Sequence, residues 1–122
     1  MKIMTLTVLP LALAASLGNA ANIDVKITNL THGSFFTPLL VTAHTDANHL
    51  FQVGTSASEE LQAMAEGGDT AGLITLADSV AAVSVANPAK GMLGPAMDTM
   101  ADLDTGSNDR LTIVGMLLPS ND

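Results

Sequence analysis

Apolar and polar residues alternate along Ile23-Asp24-Val25-Lys26-Ile27. Period two predicts a half-buried strand with Ile23, Val25 and Ile27 turned inward. Asn29-Leu30-Thr31-His32-Gly33 carries turn formers. From Phe35 to Ala43 the chain is apolar and β-branched around Pro38. Proline cannot donate to a strand ladder, so Pro38 marks an edge, a bulge or a strand start, and Leu39–Ala43 is the safer strand. Asp46-Ala47-Asn48 predicts another turn, followed by a short extended Leu50-Phe51-Gln52-Val53.

The period then changes. Ser56 precedes Glu59 by three positions, the spacing of a capping box. Ala57, Leu61, Met64 and Ala65 form a stripe at helical spacing, and Gly67-Gly68 supplies a stop. Asp69 or Thr70 is placed to cap a second short helix with Leu73, Ile74 and Ala77 inward. Val80–Ala86 is read as strand, the Asn87-Pro88-Ala89-Lys90-Gly91 segment as turn, and Thr99–Leu103 as strand. After the turn Thr105-Gly106-Ser107-Asn108-Asp109, the run Leu111–Leu118 is apolar on both phases. Such a run predicts a central strand covered on each side.

Five or six strands and two short helices give a mainly β fold, an antiparallel β-sandwich with a helical excursion. A full sandwich usually has about seven strands or more. The last strand reads as central, yet no strand follows it in the sequence, so the sandwich is expected to be incomplete, the N-terminal part of a longer domain. Met1–Ala20 stands outside this pattern. Lys2 opens it, Ile3–Leu17 carries no charge, and Gly18-Asn19-Ala20 puts small residues before a cut after Ala20. These are the marks of a secretory signal peptide, so the mature chain is expected at residues 21–122, in the periplasm or outside the cell, with no membrane span left after cleavage.

Charge and composition narrow the function. Twelve acids against four bases give a net charge of −8, which argues against nucleic acid as a partner. The three phenylalanines are the only Phe, Trp or Tyr side chains, too few for a base-stacking platform. The absence of cysteine excludes a disulfide scaffold, a cysteine-ligated zinc site and a cysteine nucleophile.

Several residues suggest chemistry, and each has a plainer explanation. Asp102-Leu103-Asp104-Thr105-Gly106 superficially matches an EF-hand loop. Gly106 sits at loop position five instead of six, however, and Ile113 stands where the bidentate Glu belongs. Asp98, Asp102, Asp104 and Asp109 are therefore expected to be solvated, with a weak surface calcium site through Asp104, Asn108 and Asp109 as the lesser alternative. His44 and His49 flank a turn that brings them close enough for zinc with Asp46, but the spacing follows no known ligand pattern, and turn residues explain them better. His32 reads as a turn residue. Glu59, Glu60 and Glu66 suit a helix start and a solvated face better than an acid pair. No Gly-x-Ser-x-Gly occurs. Asn29-Leu30-Thr31 is a formal N-glycosylation acceptor and is read as a strand-end turn.

Four segments carry a resemblance. They are Ile27-Thr28-Asn29-Leu30-Thr31-His32-Gly33-Ser34-Phe35-Phe36-Thr37-Pro38; Leu50–Gly54 followed by Ser58–Asp69; Gly91-Met92-Leu93-Gly94-Pro95; and Arg110–Asp122. In order and spacing the chain resembles the spondin N-terminal domain family, whose bacterial members look like small exported proteins. The resemblance implies a C2-like sandwich that binds calcium in loops at one end. It puts one family calcium ligand on Asp122. The family's other ligands lie in a later acidic turn that this sequence does not contain, and one carboxylate cannot supply the six to eight oxygens calcium takes. The expected function is thus an exported, non-enzymatic, calcium-dependent adhesion or binding module with an extracellular or envelope protein or glycan as partner. The alternative is a cell-envelope hydrolase or metalloenzyme using His32, His44 or His49.

Overall fold

The computed structural model describes residues 21–120. The expected signal peptide at Met1–Ala20 and the calcium ligand expected at Asp122 lie outside the described residues. The elements run β1 (Asn22–Thr28), β2 (Phe35–Phe36), β3 (Leu40–His44), α1 (Glu59–Gly67), α2 (Ala71–Ser79), β4 (Val83–Ala86), β5 (Asp98–Asp104), β6 (Arg110–Val114) and β7 (Leu117–Leu118). The fold is mainly β and antiparallel throughout, with the two short helices inserted between β3 and β4.

Three sheets form. β1 pairs with β5, β2 pairs with β7, and a three-stranded sheet has the order β4-β3-β6. β3 is buried at all five positions because both its faces are covered. Val41 and Ala43 pack against Ala101 and Leu103 of β5, with Ile23, Val25 and Ile27 of β1 alongside. Leu40, on the opposite face, packs with Leu50, Met64, Leu73, Ala77 and Val114. The molecule is therefore layered: a two-stranded sheet, a three-stranded sheet and a helix pair. The alternation in β1 falls as predicted, with Ile23, Val25 and Ile27 half-buried and their neighbours exposed.

The final apolar run departs from its prediction in two ways. It is not one strand, and it is not central. Among the described residues β6 lies at an edge of its sheet, paired only with β3, and its Leu111 and Ile113 are each 42% exposed. The chain breaks at Gly115 and Met116 and crosses to β2. Thr37 makes the crossing: its backbone N–H donates to the Met116 carbonyl at 2.9 Å, and its hydroxyl accepts from the Met116 N–H at 2.9 Å. A Cβ on Gly115 would stand 2.5 Å from Leu39 Cδ2, so the break occurs where any larger residue would make the buried Leu39 side chain shift. The doubly covered strand is β3 instead.

Smaller corrections have local causes. Ser58, not Ser56, caps α1, its hydroxyl accepting from Leu61 N–H at 3.1 Å. Met64 is the buried member of the predicted stripe, Leu61 is half-buried, and Ala57 and Ala65 are exposed. Gly68 stops the helix in the left-handed region at φ 69°, as the Gly-Gly pair suggests. Leu73, Ile74 and Ala77 of α2 turn inward as predicted. The helix runs to Ser79, so the following strand begins only at Val83. Leu50–Val53 joins no strand, and a turn follows at Val53-Gly54, closed by the Thr55 N–H to the Gln52 carbonyl at 3.2 Å.

The outer face of the β1–β5 layer is acidic. Asp24 lies directly across from Asp102, and Asn22 across from Asp104. Lys26 relieves part of the charge through an exposed ion pair with Asp98 at 3.2 Å. Like charges opposite each other on neighbouring strands repel. Asp102→Asn should therefore stabilise the fold by about 0.2–1 kcal/mol, a gain that shrinks as salt screens the pair. Urea unfolding at low and high ionic strength measures both effects.

Candidate functional site

The alternation along β3 turns Thr42 and His44 to the same face as Leu40, toward the helices. In register, Thr42 stands between Ser84 of β4 and Thr112 of β6. The Thr42 and Ser84 hydroxyl oxygens are 3.0 Å apart. His44 is only 4% exposed, and both of its ring nitrogens are engaged. Nδ1 lies 2.8 Å from the Thr45 carbonyl oxygen, and Nε2 lies 2.6 Å from Thr112 Oγ1. A carbonyl oxygen only accepts, so Nδ1 carries the proton. In the neutral ring the Nε2 lone pair then receives the Thr112 O–H. The exposed His49 ring meets His44 edge-on, with centroids 6.1 Å apart. A cavity of about 100 Å³ opens beside this row, lined in part by Thr42, His44, His49, Leu76 and Val80.

Chemically, the row is a hydroxyl held by an imidazole that a third group orients, the relation found in activated nucleophiles. It is also a complete answer to burial. No buried side-chain nitrogen or oxygen among the described residues lacks a hydrogen-bond partner. Thr112 does not line the cavity.

The turn does bring His44 and His49 together, as their spacing suggested. It does not assemble a zinc site with Asp46. Both nitrogens of His44 are already bonded, and Asp46 Oδ1 lies 3.2 Å from Arg110 Nε. In the loop after β5, Asp104 accepts from the Gly106 N–H, Asn108 reaches the Ala81 carbonyl at 3.4 Å, and Asp109 pairs with Arg110 at 3.1 Å. Among the described residues, no group of three or more His, Asp or Glu side chains is placed to hold a metal ion. His32 is exposed in its turn. Glu59 and Glu60 occupy the first turn of α1, and Glu66 accepts from the Gln62 amide at 2.8 Å.

The most heavily bonded polar side chain is one the sequence suggested only as a turn. Asn29 is fully buried. Its amide nitrogen donates to the Ser34 carbonyl at 2.8 Å and to the Leu93 carbonyl at 2.9 Å. Its Oδ1 accepts from the Thr31 N–H at 2.9 Å, with the Thr31 hydroxyl 2.7 Å away. Its backbone exchanges bonds with Ala96 and Met97. These contacts join the end of β1 to the Gly94–Met97 turn, where Ala96 takes φ 61°, a left-handed conformation that a residue with a Cβ adopts at a cost.

Sequence reasoning missed Thr112 as a partner of His44 and missed the burial of Asn29. A signal existed for the first: Thr112 is the only side chain in Leu111–Leu118 with a hydroxyl, amide or charge. The chain matches no protein-family model, no curated protein and no solved structure.

Asn29→Asp keeps the shape and the acceptor but removes both amide donors: two hydrogen bonds are lost, and a carboxylate oxygen faces the Ser34 and Leu93 carbonyls, which keep the Thr31 hydroxyl and the Phe36 N–H. Unfolding free energy should fall by about 1–3 kcal/mol, since two hydrogen bonds are lost at about 0.5–1.5 kcal/mol each. Denaturant titration of both proteins measures the loss.

Proposed function

We propose that this protein is an exported, non-enzymatic binding module of the spondin type, secreted or periplasmic, which docks an extracellular or envelope protein or glycan. One observation supports it most: the fold is mainly β and antiparallel with two short helices between β3 and β4, the same broad class as the sandwich with a helical excursion that the resemblance implies. The acidic outer face adds to this reading, because it favours solubility and cation association over contact with anionic lipid. Among the described residues, no helix is long and apolar enough to cross a membrane.

Calcium belongs to this proposal through Asp122 alone. If Asp122 is a ligand, a longer protein that also carries the family's later acidic turn should melt higher in millimolar calcium than in chelator, by mass action, and Asp122→Asn should abolish the rise. Identical melting curves would remove calcium from the proposal.

A hydrolase is the second reading, favoured by the 2.6 Å contact between His44 Nε2 and Thr112 Oγ1. The two readings part on Thr112→Val. A hydrolase acting through this pair should lose nearly all turnover of an activated ester while remaining folded by circular dichroism. A binding module should show the same background rate before and after the substitution.

A further inference from the structure

Ala21 immediately precedes β1, and one residue holds both of its backbone polar groups. The Ala21 carbonyl accepts from the Thr105 N–H at 2.9 Å and from the Thr105 hydroxyl at 3.0 Å, and the Ala21 N–H donates to the same hydroxyl oxygen at 3.3 Å. Thr105 is 6% exposed, whereas Ala21 is open to solvent. A buried side chain thus fixes the position of an exposed backbone nitrogen.

The charge around that nitrogen is one-sided. At this end β1 and β5 present Asn22, Asp24, Asp102 and Asp104 on their exposed face, with Asn22 across from Asp104 and Asp24 across from Asp102. Lys26 lies further along and pairs with Asp98. A groove of about 240 Å³ beside β1 is lined in part by Ala21, Asp109 and Arg110. The Arg110 guanidinium is shared between two carboxylates, 3.1 Å from Asp109 and 3.2 Å from Asp46. Asp104 accepts from the Gly106 N–H at 3.2 Å and pairs with no cation among the described residues.

We propose that the Thr105 turn is a receiving site for the α-ammonium group that Ala21 acquires when the leader is cut after Ala20, so that the cut itself fastens β1 to the β5–β6 turn. The inference rests on the export reading above. Hydrolysis breaks the C–N bond between Ala20 and Ala21. The oxygen of water goes to Ala20, which leaves as a carboxylate, and both hydrogens of water go as protons to the Ala21 nitrogen, which keeps the electron pair. A neutral group with one N–H becomes a cation with three. One N–H keeps the Thr105 hydroxyl, and the other two stand among acids, with Asp104 on one side and Asp109 on the other. The new charge also offsets the repulsion between Asp24 and Asp102, at the end of the face that Lys26 does not serve.

The test uses protein exported by a bacterial host, with its N-terminus read by intact mass. Ala21 is the expected first residue. Acetylating its α-amine while Lys26 and Lys90 stay free should lower the melting temperature at neutral pH and low salt by about 1–6 °C, the size of an exposed charge contact in a small domain. Reductive dimethylation adds bulk but keeps the charge, and should leave the melting temperature nearly unchanged. Acidic neighbours make the folded amine hold its proton to higher pH than the unfolded one. The gap between free and acetylated protein is therefore full below the unfolded amine's titration and closes as pH rises through the folded one's. Salt narrows it as well. Asp104→Asn combined with Asp109→Asn should remove most of it. Equal melting temperatures for free and acetylated protein would overturn the proposal and leave the export reading standing. So would an equal loss on dimethylation, a gap untouched by the double substitution, or a cut at another residue. A product that retains Met1 would overturn both.

Discussion

The organising constraint is that five consecutive residues, Leu40–His44, are covered on both faces. A strand at a sheet edge or on a solvated face needs one cover; β3 needs two. The β1–β5 pair supplies one and the α1–α2 pair the other. Burial of fully enclosed aliphatic side chains stabilises by about 1.5–3 kcal/mol each, which makes this strand the strongest attractor for the rest of the chain. Covering both faces also encloses Thr42 and His44, and enclosed polar groups must be bonded. Ser84, Thr112 and the Thr45 carbonyl are in register to do so. The polar row is thus a consequence of where β3 lies, whether or not chemistry also uses it.

The ends of the layers are tied by two residues of another kind. Asn29 binds the end of β1 to the Gly94–Met97 turn, and Thr37 binds β2 to the crossing between β6 and β7. Both are small polar residues in loops with no packing to contribute on their own. Their value lies in the backbone groups they satisfy: a buried carbonyl or N–H that water cannot reach must find a partner within the protein. Thr37 also closes on the α1 terminus, where its Cγ2 lies 3.0 Å from the position a Gly68 Cβ would take. One residue therefore meets the helix stop and the strand crossing together.

What could be read from the sequence was governed by local physics. The alternation of Ile23, Val25 and Ile27, the Gly68 stop and the inward set Leu73, Ile74 and Ala77 all depend on period and backbone freedom, which a sequence displays directly. The apolar run Leu111–Leu118 misled because two-sided hydrophobicity has two causes. In β3 it reflects two covers. In β6 and β7 it reflects a strand that changes sheets at Gly115, with Leu111 and Ile113 left partly open. The cap moved from Ser56 to Ser58 because two serines compete within three positions, and the choice depends on how the preceding loop arrives. Thr112 and Asn29 were hidden for a deeper reason: their partners are 68 and 64 positions away, and only the assembled register brings them together.

The buried amide of Asn29 has a practical consequence for producing the protein. Asn29-Leu30-Thr31 satisfies the acceptor rule of eukaryotic oligosaccharyl transfer, which modifies nascent chains as they enter the endoplasmic reticulum. In the folded molecule that nitrogen has no exposed surface and both of its protons are committed. A sugar attached during synthesis would occupy the space and remove a donor before folding could use it. Yeast or mammalian secretion would sort the product by the order of two events, yielding sugar-free native molecules and sugar-bearing chains unable to close the turn.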